Sequence, residues 1–71
     1  DYNALTAASS IWPLGTWLRV CLTGVEGAER DCVVVRVNDR CGACSLDLSR
    51  GAFEPLAPLG QGVILVTVVE V

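Results

Sequence analysis

The sequence predicts an all-β domain with one short helix, and three observations carry that prediction. Val, Ile and Thr dominate the periodic segments, the residue types that suit a pleated, half-buried surface. Glycine and proline separate those segments at short spacing, leaving no stretch for a long helix. Two segments carry an aliphatic residue at every second position, the period-2 signature of a strand with one buried face. Residues 1–71 read as a single domain, because a chain of 71 residues leaves no room for two. Hydrophobic residues make up 52% and charged residues 18%, a balance that folds rather than staying disordered. So small a core offsets the entropy of ordering only narrowly, and staples or partners are expected.

Taken in order, Asn3–Ser10 is small and polar without a helical stripe, and no strand is assigned there. Pro13 and Gly15 mark a turn. Trp17–Leu22 sets Leu18, Val20 and Leu22 against Trp17, Arg19 and Cys21; Asp31–Asn38 sets Val33, Val35 and Val37 against Cys32, Val34 and Arg36. The two form a hairpin around Thr23–Arg30. Antiparallel hairpin partners have a constant sum of residue numbers, so pairing Cys21 with Cys32 puts Arg19 opposite Val34 and Trp17 opposite Arg36. Leu18, Val20, Val33 and Val35 then share an apolar face, and both Arg residues and both cysteines share the other. A slip of two residues would keep the faces but part the thiols.

After Asn38-Asp39-Arg40 comes a tight Cys41-Gly42-Ala43-Cys44 turn, then the short alternating strand Leu46-Asp47-Leu48. Ser49 is a natural N-cap for a helix over Arg50–Glu54, which Pro55 and Pro58 keep brief. Gly60 and Gly62 release the chain into Val63–Val71. Its near-continuous Val, Ile and Leu content predicts a strand buried on both faces or covered by a neighbour.

Four cysteines allow three pairings. The hairpin register favours Cys21–Cys32 and leaves Cys41–Cys44. Structural disulfides imply an oxidising setting, secreted or otherwise extracytoplasmic in the cell envelope. A zinc site is one alternative, but only Cys41 and Cys44 have ligand spacing and no His completes a set. A redox-active CxxC is another, and it lacks the βαβ pattern such motifs accompany. No metal and no cofactor is expected.

Five basic residues, all Arg, face eight acidic ones for a net charge of −3, which argues against nucleic acid as a partner. With no His in the chain, any acid–base chemistry falls to carboxylates. The longest apolar stretch, Val63–Val71, is broken by Thr67 and Glu70 and is far short of the ~20 residues of a membrane helix, so no membrane-spanning segment is expected. Lacking an initiator Met and a signal-peptide pattern, the chain reads as a mature or trimmed product.

Several blocks, in order, resemble one family across nearly the whole chain. They are Asn3-Ala4-Leu5-Thr6-Ala7-Ala8, Pro13-Leu14-Gly15-Thr16, Val33-Val34-Val35-Arg36-Val37-Asn38-Asp39-Arg40, and Leu46-Asp47-Leu48-Ser49 with Ala52-Phe53. Together they resemble the rare lipoprotein A-like double-psi β-barrels. The Asp-Arg-Cys turn ahead of Leu-Asp-Leu-Ser also looks like the related expansin-like and barwin-like domains, which are secreted and disulfide-bonded. The resemblance implies a small six-stranded barrel with pseudo-twofold psi loops and a shallow polysaccharide groove. Family domains begin with an aromatic strand upstream of the segment that starts here, so that strand is expected to be absent or supplied by another chain. In the catalytic members, lytic transglycosylases acting on peptidoglycan, the Asp matching Asp39 is implicated with a His and a Glu. The His position falls on Ser9, and the Glu would lie before Asp1. In expansin-like members, carboxylates matching Asp39 and Asp47 line the groove, with an aromatic at the position of Cys41.

Glycosidic cleavage needs an acid for the leaving oxygen and a group that stabilises the oxocarbenium-like charge, and two carboxylates commonly do both. Asp39 and Asp47 are the candidate pair. The tight turn between them is expected to bring them close enough to repel, which favours a proton on one. Against that, Asp39 would accept backbone hydrogen bonds in its turn and Asp47 would pair with Arg40 or Arg50. Thr6 and Ser9 are candidates for sugar hydroxyls, or for local backbone groups. Trp12 and Tyr2 are candidates for stacking on sugar rings, or Trp12 covers the barrel end. Arg40 beside Asp39 completes the set. Trp17 opposite Arg36 reads as a surface cation–π or packing pair.

The expected function is therefore a secreted, disulfide-stapled barrel that binds cell-wall polysaccharide, peptidoglycan or a similar glycan, with little or no catalysis. One alternative is a lytic transglycosylase with Asp39 as acid. The other is a structural module that self-associates through its apolar strands, since an exposed edge invites strand addition.

Overall fold

A computed structural model describes residues 5–23 and 31–71. Within them the chain forms β1 (Thr6–Ser9), β2 (Trp17–Leu22), β3 (Cys32–Asp39), β4 (Leu46–Leu48), a one-turn helix α1 (Arg50–Phe53), a 3-10 turn over Leu59–Gln61, and β5 (Val66–Glu70). The strands make one sheet in the order β4-β1-β3-β2-β5. β1 runs parallel to β3, and every other pairing is antiparallel. The sheet curls into a half-barrel, and the inner sides of both edge strands, at Leu48 and Val66, border one cavity of about 250 Å³. The architecture is the all-β double-psi type, with five strands among the described residues where the resemblance implies six.

The β2–β3 register is the one the constant-sum argument selects: Cys21 faces Cys32, Arg19 faces Val34 and Trp17 faces Arg36. The Cys21–Cys32 disulfide closes this pair across a Cα separation of 4.0 Å, and Cys41–Cys44 forms the second. All four cysteines are thereby paired in disulfides, as the hairpin register favours. The connecting segment 24–30 lies outside the described residues, as does Tyr2. On the inner side, Leu18, Val20, Val35 and Val37 are fully buried and Val33 nearly so. Burial of each such side chain contributes about 1.5–3 kcal/mol. Ala52 and Leu56 cover this layer from the helical side, and Trp12, Leu46, Leu48, Ile64, Val66 and Val68 pack around it.

Local chemistry explains the punctuation. The Thr16 N–H donates to the Pro13 carbonyl at 3.2 Å, and Gly15 between them has φ +90°, the left-handed value that the third position of a type II turn requires. Ser49 caps α1 by accepting from the Ala52 N–H, and the helix stops at Phe53, with Glu54 as its C-cap. Leu46–Leu48 is the three-residue strand its alternation predicts.

Two expectations are corrected. Thr6–Ser9, given no strand from sequence, is β1, bonded on both sides by β3 and β4. Its Thr-Ala-Ala-Ser composition has weak β-propensity and no visible alternation, so pairing with its neighbours decides its conformation. The expectation for Val63–Val71 is burial on both faces or cover by a neighbour, and among the described residues the first does not hold. Of this stretch Val66–Glu70 is the strand, among the described residues it pairs with β2 alone, and Val69 and Val71 stay half exposed or more. Continuous apolarity does not distinguish an edge strand from a central one.

Replacing both Cys21 and Cys32 by Ser should lower unfolding stability by about 3 kcal/mol on the chain-entropy account of a loop this size, read as a shift of the urea midpoint. The Cys41→Ser, Cys44→Ser pair closes a much smaller loop and should cost roughly half as much. Equal losses from the two pairs would exclude that account.

Candidate functional site

The site is built on β1, whose small residues let the two flanking strands face each other. Ala7 and Ser9 point inward and are buried, so Thr6 and Ala8 point outward. Ala8 is in register with Asp39 of β3 on one side and Asp47 of β4 on the other. Residues paired across strands share a face, so both carboxylates stand on the outer surface with only a methyl group between them. A cleft of about 180 Å³ results, lined among others by Thr6, Ala8, Asn38, Asp39, Asp47 and Ser49.

Asp39 reaches this face only because β3 is irregular. Val33, Val35 and Val37 all point inward, and strict alternation would send Asp39 after them. The β1–β3 register shifts between Ala7 and Ala8: Ala7 pairs with Val37, but Ala8 pairs with Asp39. Asn38 is the extra residue of a β-bulge, and the bulge turns Asp39 outward. Its Oδ1 accepts from the Arg40 backbone N–H at 2.8 Å. Asp47 needs no such device, because it sits between the half-buried Leu46 and Leu48 and faces out by simple alternation.

The tight turn does not put Asp39 and Asp47 on neighbouring strands. One strand lies between theirs, which sets their backbones ~9–10 Å apart at ordinary strand spacing. The cleft therefore presents two separate acceptors on opposite walls. Arg50 donates through Nε to Glu54 Oε1 at 2.9 Å, an exposed pair one helical turn apart.

The other candidate residues fall into two groups. Thr6 lies on the cleft floor beside Ala8, and Arg40 is exposed next to Asp39. Ser9 and Trp12 belong to the interior side. Ser9 is fully buried; its Oγ donates to the Ser45 carbonyl at 2.7 Å and accepts from the Ile11 and Trp12 N–H groups at 3.0 and 3.1 Å. Trp12 packs against the hydrophobic core. Ser10 Oγ donates to the Cys44 carbonyl. Two adjacent serines thus tie the end of β1 to the Cys41–Cys44 loop that leads from Asp39 to Asp47. Ser49 serves both α1 and the cleft: its Oγ accepts from the Thr6 N–H at 3.3 Å, and its own N–H donates to the Thr6 carbonyl at 2.9 Å. Ala8 and Asn38 were not among the sequence candidates. Their only signal was an Asn-Asp pair where a strict alternation ends.

Residues 1–68 match the lytic transglycolase family. The chain is also 38% identical over 68 residues to ssl3177, an uncharacterized protein of Synechocystis sp. (strain PCC 6803), an alignment spanning 96% of this chain and 70% of that relative.

Replacing Ser9 by Ala should destabilise the fold by about 2 kcal/mol, since it strands a carbonyl and two N–H groups in the interior. Thr6→Ser on the floor should change stability by less than about 0.5 kcal/mol. Thermal melts of the two variants check both, and an unchanged Ser9→Ala would refute the tether.

Proposed function

The chain belongs to the lytic transglycolase family of double-psi β-barrels, and from that premise we propose that it is a cell-wall glycan-binding module with little or no catalysis. The observation that carries the reading is the pair Asp39 and Asp47, facing outward across Ala8 in an open cleft. Carboxylates on opposite walls accept hydrogen bonds from the hydroxyls of a sugar lying between them, and such charge-assisted bonds are about twice as strong as neutral ones. The Ala8 methyl gives the ring a floor without filling its place. Thr6 adds a hydroxyl, and Arg40 donors at the rim. Weak catalysis follows from what stands at the family's His position: Ser9 has its hydroxyl engaged in the interior, and the chain has no His. Two disulfides favour an extracytoplasmic location, secreted or in the cell envelope. Among the described residues no helix is long and apolar enough to cross a membrane.

A second reading is the lytic transglycosylase itself, with Asp39 as the acid; the family's description and the outward aim of Asp39 favour it. A third is association through apolar surface, favoured by Val63 at 83% and Leu65 at 70% exposure.

Co-sedimentation with insoluble peptidoglycan, chitin and cellulose, with analysis of the soluble products, separates the three. The expected result is retention on at least one glycan, weakened about tenfold in Asp39→Asn and in Asp47→Asn, with no sugar released. Retention on none overturns the proposal. Release of anhydro-muropeptides that Asp39→Asn abolishes replaces it with the second reading. A clean monomer in dilute size-exclusion chromatography removes the third.

A further inference from the structure

The loop that joins the two walls of the cleft carries a disulfide placed where its cleavage would move one of them. Residues 41–45 lead from β3 to β4 as irregular backbone held by side chains: the Cys41–Cys44 bond, Ser10 Oγ donating to the Cys44 carbonyl, and Ser9 Oγ donating to the Ser45 carbonyl at 2.7 Å. The two disulfides of the chain differ in what holds their sulfurs together once the bond is gone. Cys21 and Cys32 face each other on strands that pair at four further positions, so the ladder keeps freed thiols side by side and favours re-closure. Among the described residues no ladder joins Cys41 to Cys44, and their bond spans a sequence separation of 3 against 11, the smaller constraint. Gly42 and Ala43 are exposed and the two cysteines half-buried, which leaves the bond open to a reductant. Cys41 Sγ lies 3.3 Å from the Cys44 carbonyl, so a freed thiol there has an acceptor at hand. Cys44 also borders the cavity of about 250 Å³ between the edge strands, which gives the loop room to relax.

We infer that Cys41–Cys44 is a reversible redox switch for the cleft, opened by a dithiol reductant and re-closed by oxidation, while Cys21–Cys32 is the bond that stays. The inference rests on the glycan-binding reading for what the switch controls. One thiolate of the dithiol attacks the Cys41–Cys44 bond, forming a mixed disulfide with one cysteine and freeing the other. The second thiol of the reductant then displaces the protein sulfur, and the reductant leaves as its own disulfide. Two electrons have passed to the protein, and Cys41 and Cys44 each end as a protonated thiol. The effect falls on Asp47 rather than Asp39. β4 has three residues, anchored at its far end by Ser49, which exchanges bonds with Thr6, and at its near end by the loop. Releasing the loop lets that near end fray from its pairing with Ser9, and Asp47 is the next residue along. Asp39 stands at the end of the eight-residue β3, its Oδ1 held by the Arg40 N–H before the loop begins.

The test equilibrates the whole chain in buffers of reduced and oxidised dithiothreitol at graded ratios and reads alkylated cysteines by mass. Cys41 and Cys44 should open together at a ratio about tenfold below the one that opens Cys21–Cys32. Between those ratios, amide exchange across β4 should speed up about tenfold while that of β3 is unchanged. Retention on whichever of peptidoglycan, chitin or cellulose holds the oxidised protein should fall about fivefold. In that state Asp47→Asn should add no further loss, whereas Asp39→Asn should still weaken retention. The Cys41→Ser, Cys44→Ser protein should show the weakened retention without reductant and no response to it at the same ratio. Both disulfides opening at one ratio, unchanged exchange across β4, or full retention with Cys41–Cys44 alone open overturns the inference and leaves the glycan-binding reading standing. Oxidised protein retained on no glycan overturns that reading instead, and the exchange measurement, which needs no ligand, then decides the switch by itself.

Discussion

β3 is bonded on both sides, to β1 in parallel and to β2 in antiparallel register, and its alternation decides which side chains every neighbour can bury. Val33, Val35 and Val37 point inward, which fixes Leu18 and Val20 inward on β2 and Ala7 on β1. A slip by one residue would bring Arg36 and Cys32 into the core and put three valines in water, so the register is strongly specified. The Cys21–Cys32 disulfide adds a covalent constraint at the end of the β2–β3 pair nearest their connection. At the other end alternation is broken once, at Asn38. That single extra residue releases Asp39 from the parity of the valines and makes an outward carboxylate of what would be a buried charge.

Holding the two carboxylates on opposite walls then depends on what joins them. From Asp39 to Asp47 the chain crosses from β3 to β4 over the end of β1, and irregular backbone of that kind is ordinarily mobile. Here the crossing carries a disulfide of its own, and Ser9 and Ser10 donate to the Ser45 and Cys44 carbonyls beside it. Ser9 also accepts two N–H bonds from the chain leading to Trp12, whose ring covers the core. One buried hydroxyl therefore links the floor of the cleft, the loop between its walls and the hydrophobic layer beneath.

How far the sequence alone could be read follows from which constraints are local. The β2–β3 register and both disulfides were legible because two thiols on one face of a hairpin constrain it arithmetically. The β4 strand and the Ser49 cap were legible because alternation and capping act within a few residues. β1 was not, because Thr-Ala-Ala-Ser has no pattern of its own and becomes a strand only when β3 and β4 supply partners far along the chain. The place of β5 at the edge of the described sheet was not, because Val, Ile and Leu in succession look the same on an edge as in the middle of a sheet. Asp39 and Asp47 could be singled out, but the bulge that orients one of them and the Ala8 gap that separates them are properties of pairing, invisible in either strand alone.

The cleft also shows how an open sheet can carry a site at its edge. Among the described residues β4 and β5 each have one bonded neighbour, and a long flat edge would recruit strands from other molecules. β4 is only three residues long, and the one side chain it turns outward is charged, which limits the backbone available for such pairing. The same brevity leaves the cleft open on that side: among the described residues no strand lies beyond β4 in the sheet, and Asp47 is exposed. Past Asp39 the outer face continues across β3 and β2, where Val34, Arg36, Trp17 and Arg19 are exposed, so the cleft is open rather than a closed pocket. Recognition on such a surface has to come from a few widely spaced polar groups on rigid strands, and the fold supplies that rigidity from the other face of the same residues.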